Sequence, residues 1–380
     1  MRQNVNIAIV AGETSGDNLG AGLIREFRRH LDNASFEGIG GPAMQAEGMS
    51  SLYPMEKISI MGLDGLVRHL REILNIRANL VERFSKQRPD IFVGIDVPDF
   101  NLGLEYRLRA QGIKTIHYVS PTVWAWRSYR VKKIRRSVDH MLTLFPFEAD
   151  FYRKHNVPVT CVGHPIADQV AAGGTVDTSE WSLDSSRDLV AVLPGSRRSE
   201  IERLGPVFAE TASRLIRERN VHIVVPSASE QVKPVLKSCL LDHIPAEQVR
   251  TVDGNARQVL RRARVALLAS GTAALESALV GTPMVVAYKI SLASYLMVKA
   301  FSNVEHYSMP NHLLEKATVP EFMQADATAD NLFRAVCDYL DNDALHADMR
   351  QQLNGILNSL CRNADVSAAN AVMSELALSP

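Results

Sequence analysis

An apolar segment of the sequence is followed directly by two carboxylates and an amide. Residues 94–101 read GIDVPDFN, and the run Ile91–Ile95 predicts a strand that is buried on both faces. Asp96 and Asp99 therefore stand at the end of a strand, where a carboxylate can act as a general base on a hydroxyl group. The alternative is a helix cap, and we expect one of the two acids to do only that.

A second apolar run, Val265–Ala269, is followed by a turn and a run of good helix formers. Ser270, Gly271 and Thr272 form the predicted turn and helix start. The amino end of a helix binds phosphate well, because its unpaired N–H groups and its dipole both favour an anion. Glu276 lies one turn further on, where its carboxylate could accept hydrogen bonds from a ribose. An ordinary strand–helix–strand unit is the alternative.

A glycine–serine turn carries an arginine at the start of another predicted helix. Residues 193–201 read LPGSRRSEI, so Gly195 and Ser196 form the turn and Arg197 follows them. An arginine in this position can donate paired, charge-assisted hydrogen bonds to a diphosphate.

Two other loops that follow predicted strands have unusual compositions. The loop GETSGD contains Glu13 and Asp17, but it lacks the GxGxxG pattern and is weak evidence for a dinucleotide site. The loop YVSPTVWAWR contains Trp124 and Trp126, which either anchor the core or line an acceptor pocket.

The predicted helix 66–84 combines apolar residues at helical spacing with many basic residues. Such a stripe usually packs in a core, but an apolar and basic helix can instead lie on an anionic membrane surface. We favour the membrane interpretation. The residues concerned are Leu66, Leu70 and Leu74 on the stripe and Arg68, Arg71 and Arg77 beside it.

These segments belong to a regular alternation of predicted strands and helices, which is typical of parallel sheets with helices on both faces. The alternation runs twice, and a small, polar segment between the two series reads as a linker. The expected strands include Ile91–Ile95, Lys114–Tyr118, His140–Thr143, Leu189–Leu193 and Val265–Ala269, and two of the helices are expected to begin near Asn18 and Leu102. The sequence therefore predicts an α/β protein with two doubly wound, Rossmann-like domains facing a central cleft. The expected parts are a first domain 1–168, a linker 169–188, a second domain 189–343 and C-terminal helices 344–380 that pack back on an N-terminal domain.

Composition narrows the possible functions. The 380 residues include 42 basic and 42 acidic ones, so no bulk charge points to nucleic acid. The four cysteines form no CxxC pair and the histidines have no metal-ligand spacing, so we expect a reducing cytoplasm, no metal and no cofactor. We also expect no signal peptide, and no apolar run approaches the roughly 20 residues that span a bilayer.

In this order and at these separations, the segments resemble the lipid-A-disaccharide synthase family, which has the GT-B fold, over almost the whole chain. That family transfers 2,3-diacylglucosamine from UDP-2,3-diacylglucosamine to the 6-hydroxyl of 2,3-diacylglucosamine 1-phosphate, in lipid A biosynthesis. The resemblance implies a homodimer with exchanged C-terminal segments, associated peripherally with the cytoplasmic face of the inner membrane. The segments that carry it are 10–17, 94–102, 118–126, 163–164, 193–197, 269–276, 309–311 and 363–365.

The resemblance also implies roles for individual residues. Asp96 would be the catalytic base, and Glu13 and Asp17 would be polar residues needed on the acceptor side. Trp124 and Trp126 would contribute to the acceptor region. The residues implied in UDP or substrate binding are Gly195, Ser196, Arg197, Ser270, Gly271, Thr272, Glu276, Asn311 and Arg362.

The sequence departs from the family pattern at two positions. Gly65 stands where the family usually has an acid, so either the neighbouring Asp64 replaces it or that role is lost. Near the C-terminus the usual Arg-Cys order is reversed, so that Arg362 follows Cys361 and would approach a phosphate from a different angle.

Two other functions are compatible with the same organisation. A UDP-N-acetylglucosamine 2-epimerase shares the two-domain architecture and a nucleotide site in the second domain, but it has no need of an apolar, basic helix. A nucleotide-sugar sensor would bind without turnover. Two carboxylates at a strand end argue against the sensor, because anionic groups near a diphosphate weaken plain binding.

Overall fold

The computed structural model describes residues 4–31, 33–58, 66–124, 130–174, 181, 183–184, 186–291, 295 and 306–376. The chain divides into two compact units, Met1–Asp168 together with Leu360–Pro380, and Gln169–Ser359. The expected linker, 169–188, begins inside a helix and falls partly on residues outside this description.

The described part of the first unit is built on one parallel sheet. Its strands are β1 Val5–Ala11, β2 Ala34–Ile39, β3 Ser50–Ser51, β4 Ile91–Ile95, β5 Lys114–Tyr118, β6 His140–Thr143 and β7 Val159–Cys161. They pair in the order β3-β2-β1-β4-β5-β6-β7. The order reverses between β1 and β4, so the loops that follow these two strands lie at the topological switch point, where open α/β sheets bind ligands.

The helices of the first unit connect these strands, and the last helix returns to it from the end of the chain. They are α1 Thr14–His30, α2 Pro42–Ala46, α3 Leu66–Gln87, α4 Pro98–Arg109, α5 Val131–Ser137, α6 Pro146–Lys154 and α7 Pro165–Ala171, with Ala364–Glu375 at the C-terminus. The C-terminal helix packs against α1 at Gly22, where an added Cβ would lie 2.4 Å from the Asp365 carboxyl. Glycine at this position therefore permits the close approach of the two helices.

The second unit has its own parallel sheet. The strands described are β8 Leu189–Leu193, β9 His222–Ser227, β10 Val249–Asp253, β11 Val265–Ala269, β12 Met284–Tyr288 and β13 Glu321–Met323. They pair in the order β10-β9-β8-β11-β12-β13, so the switch point of this sheet lies between β8 and β11. The predicted α/β class with two parallel sheets is confirmed.

The helices of the second unit follow the same alternation. They are α8 Arg198–Arg219, α9 Lys233–Cys239, α10 Ala256–Arg262, α11 Thr272–Leu279, α12 Met309–Leu313, α13 Ala329–Asp341 and α14 Asp343–Leu360, so that the C-terminal helix of the first unit is α15. Short 3-10 turns occur at Met55–Lys57, Glu230–Val232, Leu241–His243, Ala246–Gln248 and Gln324–Asp326. The predicted C-terminal helices, 344–380, correspond to α14 and α15.

The helix α3 divides its apolar residues between the core and the surface. Ile73, Leu80 and Phe84 are buried in a cluster with side chains of β4 and α4. Leu70 and Leu74 remain 50% and 42% exposed. The core interpretation is therefore right for one side of the helix, and these two leucines lie outside the core. The side chain of Leu66 and residues 59–65, with Asp64 and Gly65, lie outside the described residues.

Candidate active site

The turn after β4 holds Asp96 in an unusual backbone conformation. Asp96 and Val97 have φ values of 53° and 42°, in the left-handed region that a β-branched residue rarely adopts. The Asp96 N–H donates to the Tyr118 carbonyl oxygen at 2.8 Å, and the Asn101 amide donates to the Asp96 carbonyl oxygen at 2.8 Å. Strained backbone of this kind is typical of functional sites. Asp96 is half-buried at the switch point of the first sheet.

Asp99 is the acid of this pair that has a structural partner. The helix α4 begins at Pro98 rather than at the predicted Leu102, because proline is favoured in the first turn of a helix. Asp99 therefore lies in the first turn, exposed, and forms an ion pair with Arg130. Its backbone carbonyl accepts a hydrogen bond from Arg77 at 3.3 Å.

Glu13 and Asp17 both lie at the amino end of α1, but in different environments. This helix begins at Thr14, four residues before the predicted start at Asn18, so Asp17 is a helical residue. Glu13 is exposed, directly before the helix. Asp17 is 2% exposed, and its carboxylate accepts hydrogen bonds at 2.8–3.0 Å from the backbone N–H groups of Gly41, Ala43 and Met44. Asp17 thus holds the amino end of α2 against α1.

Trp124 belongs to an aromatic group after β5 and β6. It is half-buried, and its ring meets Phe147 edge to face with a centroid distance of 4.8 Å. Phe147 in turn stacks on Phe145 at 5.8 Å. Trp126 lies outside the described residues.

A buried acid that the sequence analysis missed lies beside this aromatic group. Glu148 is 4% exposed, and its carboxyl accepts a hydrogen bond from the Phe145 N–H at 3.3 Å. Burial raises the pKa of Glu148 to about 8, against the opposing effect of hydrogen bonds from Phe145, Trp124 and Ser120. A proline followed two residues later by a glutamate at a helix start is the sequence signal that could have indicated it.

A cavity of about 400 Å³ opens at the carboxyl ends of β8, β9, β10 and β11 in the second unit. It lies at the switch point of that sheet, where an α/β fold binds its ligand. Seven residues that the sequence analysis singled out line this cavity together. They are Gly195, Ser196, Arg197, Ser270, Gly271, Thr272 and Glu276.

The amino end of α11 forms one wall of the cavity. The helix begins at Thr272, and the geometry of a helix leaves its first N–H groups without intrahelical acceptors. These groups and the helix dipole favour an anion. The Ser270 hydroxyl donates to the Tyr307 carbonyl oxygen at 2.8 Å, so this side chain also fixes the neighbouring loop.

Arg197 reaches into solvent beside a glutamate that the sequence analysis did not select. The Arg197 side chain is 82% exposed, with its guanidinium 3.5 Å from the Glu200 carboxylate. Glu200 accepts hydrogen bonds from the backbone N–H groups of Ser196 at 3.0 Å and Arg197 at 3.2 Å. Gly195 has a φ of +129°, and an added Cβ would lie 2.6 Å from Glu200. The Ser196 and Arg197 N–H groups are therefore already paired with Glu200, whereas the Arg197 guanidinium, though ion-paired with the same carboxylate, remains largely exposed to solvent.

Glu276 is positioned by an arginine of α10. Its carboxylate lies 3.7 Å from the Arg257 guanidinium, and Arg257 also donates to the Gln169 side chain at 3.2 Å. Burial raises the pKa of Glu276, while Arg257 opposes this effect. A second cavity of about 400 Å³ shares Asn255, Ala256 and Glu276 with the first.

Asn311 and Arg362 are not among the residues that line the 400 Å³ cavity at the strand ends. The buried Asn311 side chain donates to the Val319 carbonyl oxygen at 2.9 Å and to Glu321 at 2.6 Å, and it accepts from the Val319 N–H at 3.0 Å. Its amide is thus fully used in fixing the loop before β13. Arg362 is exposed and belongs to the first unit, directly before α15.

The described residues contain no group of three or more His, Cys, Asp or Glu side chains that could hold a metal ion. None of the helices in this part of the chain is long and apolar enough to cross a membrane.

Comparison with known sequences gives matches over nearly the whole chain. A family model described as lipid-A-disaccharide synthetase matches residues 7–372. A lipid-A-disaccharide synthase of Alkalilimnicola ehrlichii is 46% identical over 375 residues, covering 97% of this chain and 98% of the relative. A lipid-A-disaccharide synthase of Hahella chejuensis is 45% identical over 371 residues, covering 97% of this chain and 93% of the relative.

Solved structures share the fold at much lower sequence identity. A putative UDP-N-acetylglucosamine 2-epimerase from Listeria monocytogenes has a TM-score of 0.63 and 13% identity, covering 99% of this chain and 97% of the other. MurG of Acinetobacter baumannii has a TM-score of 0.60 and 13% identity, covering 97% of this chain and 99% of the other. These likenesses concern the fold alone, so they do not separate epimerase from transferase.

The sequence relatives distinguish the transferase from the epimerase. The matches at 45–46% identity carry the name of one enzyme, and they cover both units of the chain. By its sequence, from β1 to α15, this chain belongs to the lipid-A-disaccharide synthetase family.

Proposed function

We propose that this protein transfers 2,3-diacylglucosamine from UDP-2,3-diacylglucosamine to the 6-hydroxyl of 2,3-diacylglucosamine 1-phosphate. The products are UDP and a β-1,6-linked disaccharide 1-phosphate. Family membership makes the protein a glycosyltransferase and supports this choice of substrates. The single observation that carries the mechanism is the cavity of the second unit, in which seven residues selected from sequence lie together at a switch point.

The reaction inverts the anomeric carbon, so the acceptor hydroxyl attacks from the face opposite UDP. A base must take the hydroxyl proton as the new bond forms. Asp96 is our candidate, because it lies at the switch point of the first sheet in strained backbone. Asp99 is the weaker candidate, since its carboxylate is already paired with Arg130.

The departing UDP gains negative charge, and two groups of the second unit can stabilise it. Arg197 can turn from solvent to the diphosphate and donate charge-assisted hydrogen bonds. The amino end of α11 supplies N–H groups and the positive end of a helix dipole. Glu276, half-buried in the same cavity, is suited to accept hydrogen bonds from the ribose hydroxyls.

Both proposed substrates carry acyl chains, and α3 offers a surface suited to a membrane. Among the described side chains of this helix, Leu70 and Leu74 are the exposed apolar ones, and Arg71 beside them is exposed as well. Arg77 is engaged with α4 through its hydrogen bond to Asp99, and burial lowers its pKa. We propose that Leu70, Leu74 and Arg71 rest on the anionic cytoplasmic face of the inner membrane. A homodimer remains part of the proposal, on the family resemblance.

The direct test is incubation of the purified protein with the two diacylated substrates. UDP and a disaccharide 1-phosphate should appear together in equal amounts, as mass spectrometry and a UDP assay can measure. A parallel incubation with UDP-N-acetylglucosamine tests for inversion at C2 without UDP release. Epimerised sugar with no disaccharide would replace our proposal by the epimerase alternative, and tight UDP binding without either product would leave a sensor.

A further inference from the structure

Beneath the Asp96 turn lies a pair of ionisable side chains that the proposed mechanism does not use. Glu105 of α4 and His117 of β5 are both 0% exposed, and the His117 Nδ1 lies 2.7 Å from the Glu105 Oε1. Burial raises the pKa of the Glu105 carboxyl, whereas His117 opposes this effect. Burying two such groups costs free energy unless their hydrogen bonds are made. A buried pair of this kind is therefore a candidate for a role other than stabilising the fold.

The neighbouring strand, β4, is adapted to hold this pair. Gly94 of β4 stands next to His117 in the register of the parallel sheet. A Cβ added at Gly94 would lie 2.2 Å from the Glu105 Oε1 and 3.0 Å from Asn101. The missing side chain therefore makes the space into which Glu105 and Asn101 both extend. These two residues are one turn apart on α4, and so they share a face of the helix.

Asn101, which borders the same space beside Gly94 as Glu105, is bonded to the turn that carries the candidate base. Its Nδ2 lies 2.8 Å from the Asp96 carbonyl oxygen, 3.2 Å from that of Val10 and 3.3 Å from that of Ile95. An amide has two hydrogens, and the shortest of the three distances is the one to Asp96. From the other side, the Asp96 N–H is held by the Tyr118 carbonyl oxygen, one residue after His117.

Three polar atoms of this group have no hydrogen-bond partner among the described residues: Asn101 Oδ1, Glu105 Oε2 and His117 Nε2. A group that served only the stability of the fold would be expected to satisfy its polar atoms or to be apolar. The polar cluster lies instead under the turn after β4, at the switch point of the first sheet, where Asp96 and Val97 both have left-handed backbone.

We propose that Asn101, supported by the buried Glu105–His117 pair, is a positioning residue that holds Asp96 in its catalytic conformation. The inference rests on the proposed role of Asp96 as the base. Asn101 fixes the carbonyl group of Asp96, and the pair keeps Asn101 in place through the space left by Gly94. None of the three touches the acceptor.

The test compares Asn101→Ala and Glu105→Ala with a control that removes a buried hydrogen bond elsewhere on β5, the strand that carries His117. Thr115→Val is suitable, since the buried Thr115 hydroxyl donates to the Ser137 carbonyl oxygen at 3.0 Å, at the other end of β5. We expect both alanine variants to lower kcat at least tenfold, with KM for each substrate and the affinity for UDP within about threefold of the parent. Glu105→Gln, which keeps a hydrogen bond to His117, should restore most of kcat. Thr115→Val should lower Tm and leave kcat within about twofold.

A double-mutant cycle separates positioning from general destabilisation. In the Asp96→Asn background, Asn101→Ala should lower the residual kcat by less than about twofold, because its effect passes through Asp96. A full tenfold fall in that background, or parental kcat in the single variant, would overturn the inference while leaving Asp96 as the base. If Asn101→Ala fails to fold, Asn101→Leu, which has nearly the same shape and no hydrogen-bond donor, serves in its place. Parental turnover of Asp96→Asn alone would instead remove the proposed base, and the inference with it.

Discussion

Replacing Leu70 and Leu74 by serine should separate the protein from the membrane without unfolding it. The two side chains are 50% and 42% exposed, whereas Leu80 on the same helix is fully buried. Leu80→Ala is therefore a matched control that loses core packing and keeps the exposed apolar surface. The double variant should lose vesicle binding and keep most of its stability, whereas Leu80→Ala should lose stability and keep vesicle binding.

The exposed fractions set the magnitudes. The exposed halves of Leu70 and Leu74 together amount to about one leucine side chain, and burying one leucine in an apolar environment is worth about 1.5–3 kcal/mol. Losing it should weaken vesicle binding by roughly 10- to 100-fold. The buried halves set an upper bound of similar size, about 1.5–3 kcal/mol, for the loss of folding stability. Leu80→Ala leaves a cavity and should cost about 2–5 kcal/mol from a single residue.

The assay is co-sedimentation with vesicles that contain anionic lipid, together with thermal unfolding. The double variant should stay in the supernatant and melt close to the parent, while Leu80→Ala should melt lower and still sediment below its Tm. Added salt should weaken binding of the parent, because attraction between Arg71 and the lipid is screened. Parental sedimentation by a double variant that melts many degrees lower would refute the membrane interpretation of α3.

Four other outcomes can be measured directly. Asp96→Asn should fold normally, because the side chains are nearly isosteric, and should lower turnover by about a hundredfold or more; turnover within a few-fold of the parent would direct attention to Asp99. Arg197→Ala should weaken UDP binding by about 1.5–3 kcal/mol in calorimetry, whereas Arg198→Ala, whose guanidinium pairs with Glu202 outside the cavity, should not. Excess EDTA should leave activity unchanged, and a loss that magnesium restores would contradict leaving-group stabilisation by protein groups alone. Burial raises the pKa of Glu148 from 4.5 to about 8, so the folded protein keeps this proton below about pH 8 and its contribution to stability is lost as the pH rises between these values. Glu148→Gln should therefore flatten the fall of Tm over this pH range. An unchanged profile of Tm against pH would show that the carboxyl is ionised in the fold.

The amino-acid sequence by itself determined the class of the fold and most of its strands. The expected bounds of β4, β5, β6, β8 and β11 match the structure residue for residue. The reason is that strands buried on both faces must be apolar throughout, and such runs end abruptly at polar loops. The short β13 escaped this reasoning, because three residues carry too little periodicity to be recognised.

Helix starts were less well determined. The predicted starts of α1 and α4, at Asn18 and Leu102, lie four residues after the observed ones. The reason is that the segments Thr14–Asp17 and Pro98–Asn101 are rich in loop-forming residues. Glycine, serine, aspartate and proline are also the residues that helix amino ends favour, so composition alone cannot distinguish a loop from a first turn. The consequence is large for the site, since Asp17, Asp99 and Asn101 are helical residues.

For the candidate site, the sequence determined which residues could hold a diphosphate, and seven of them line one cavity. Only the tertiary structure decided what each polar side chain does. The Asp17 carboxylate is taken by backbone N–H groups at the start of α2, and Asn311 by Val319 and Glu321. Glu200 occupies the N–H groups before α8. Pairings of this kind depend on distance in space, which a single sequence does not contain.

Only the tertiary structure decides which side chains are buried. Leu70, Leu74 and Leu80 have the same side chain on one helix, yet the neighbours that β4 and α4 bring to the helix cover only the last of them fully. Glu105 and His117 are ordinary residues of a helix and a strand until the register of β4 with β5 sets Gly94 beside them. The sequence determined the elements and the chemistry available at their ends, and the packing of those elements decided which side chains water can reach and which charges must find partners inside.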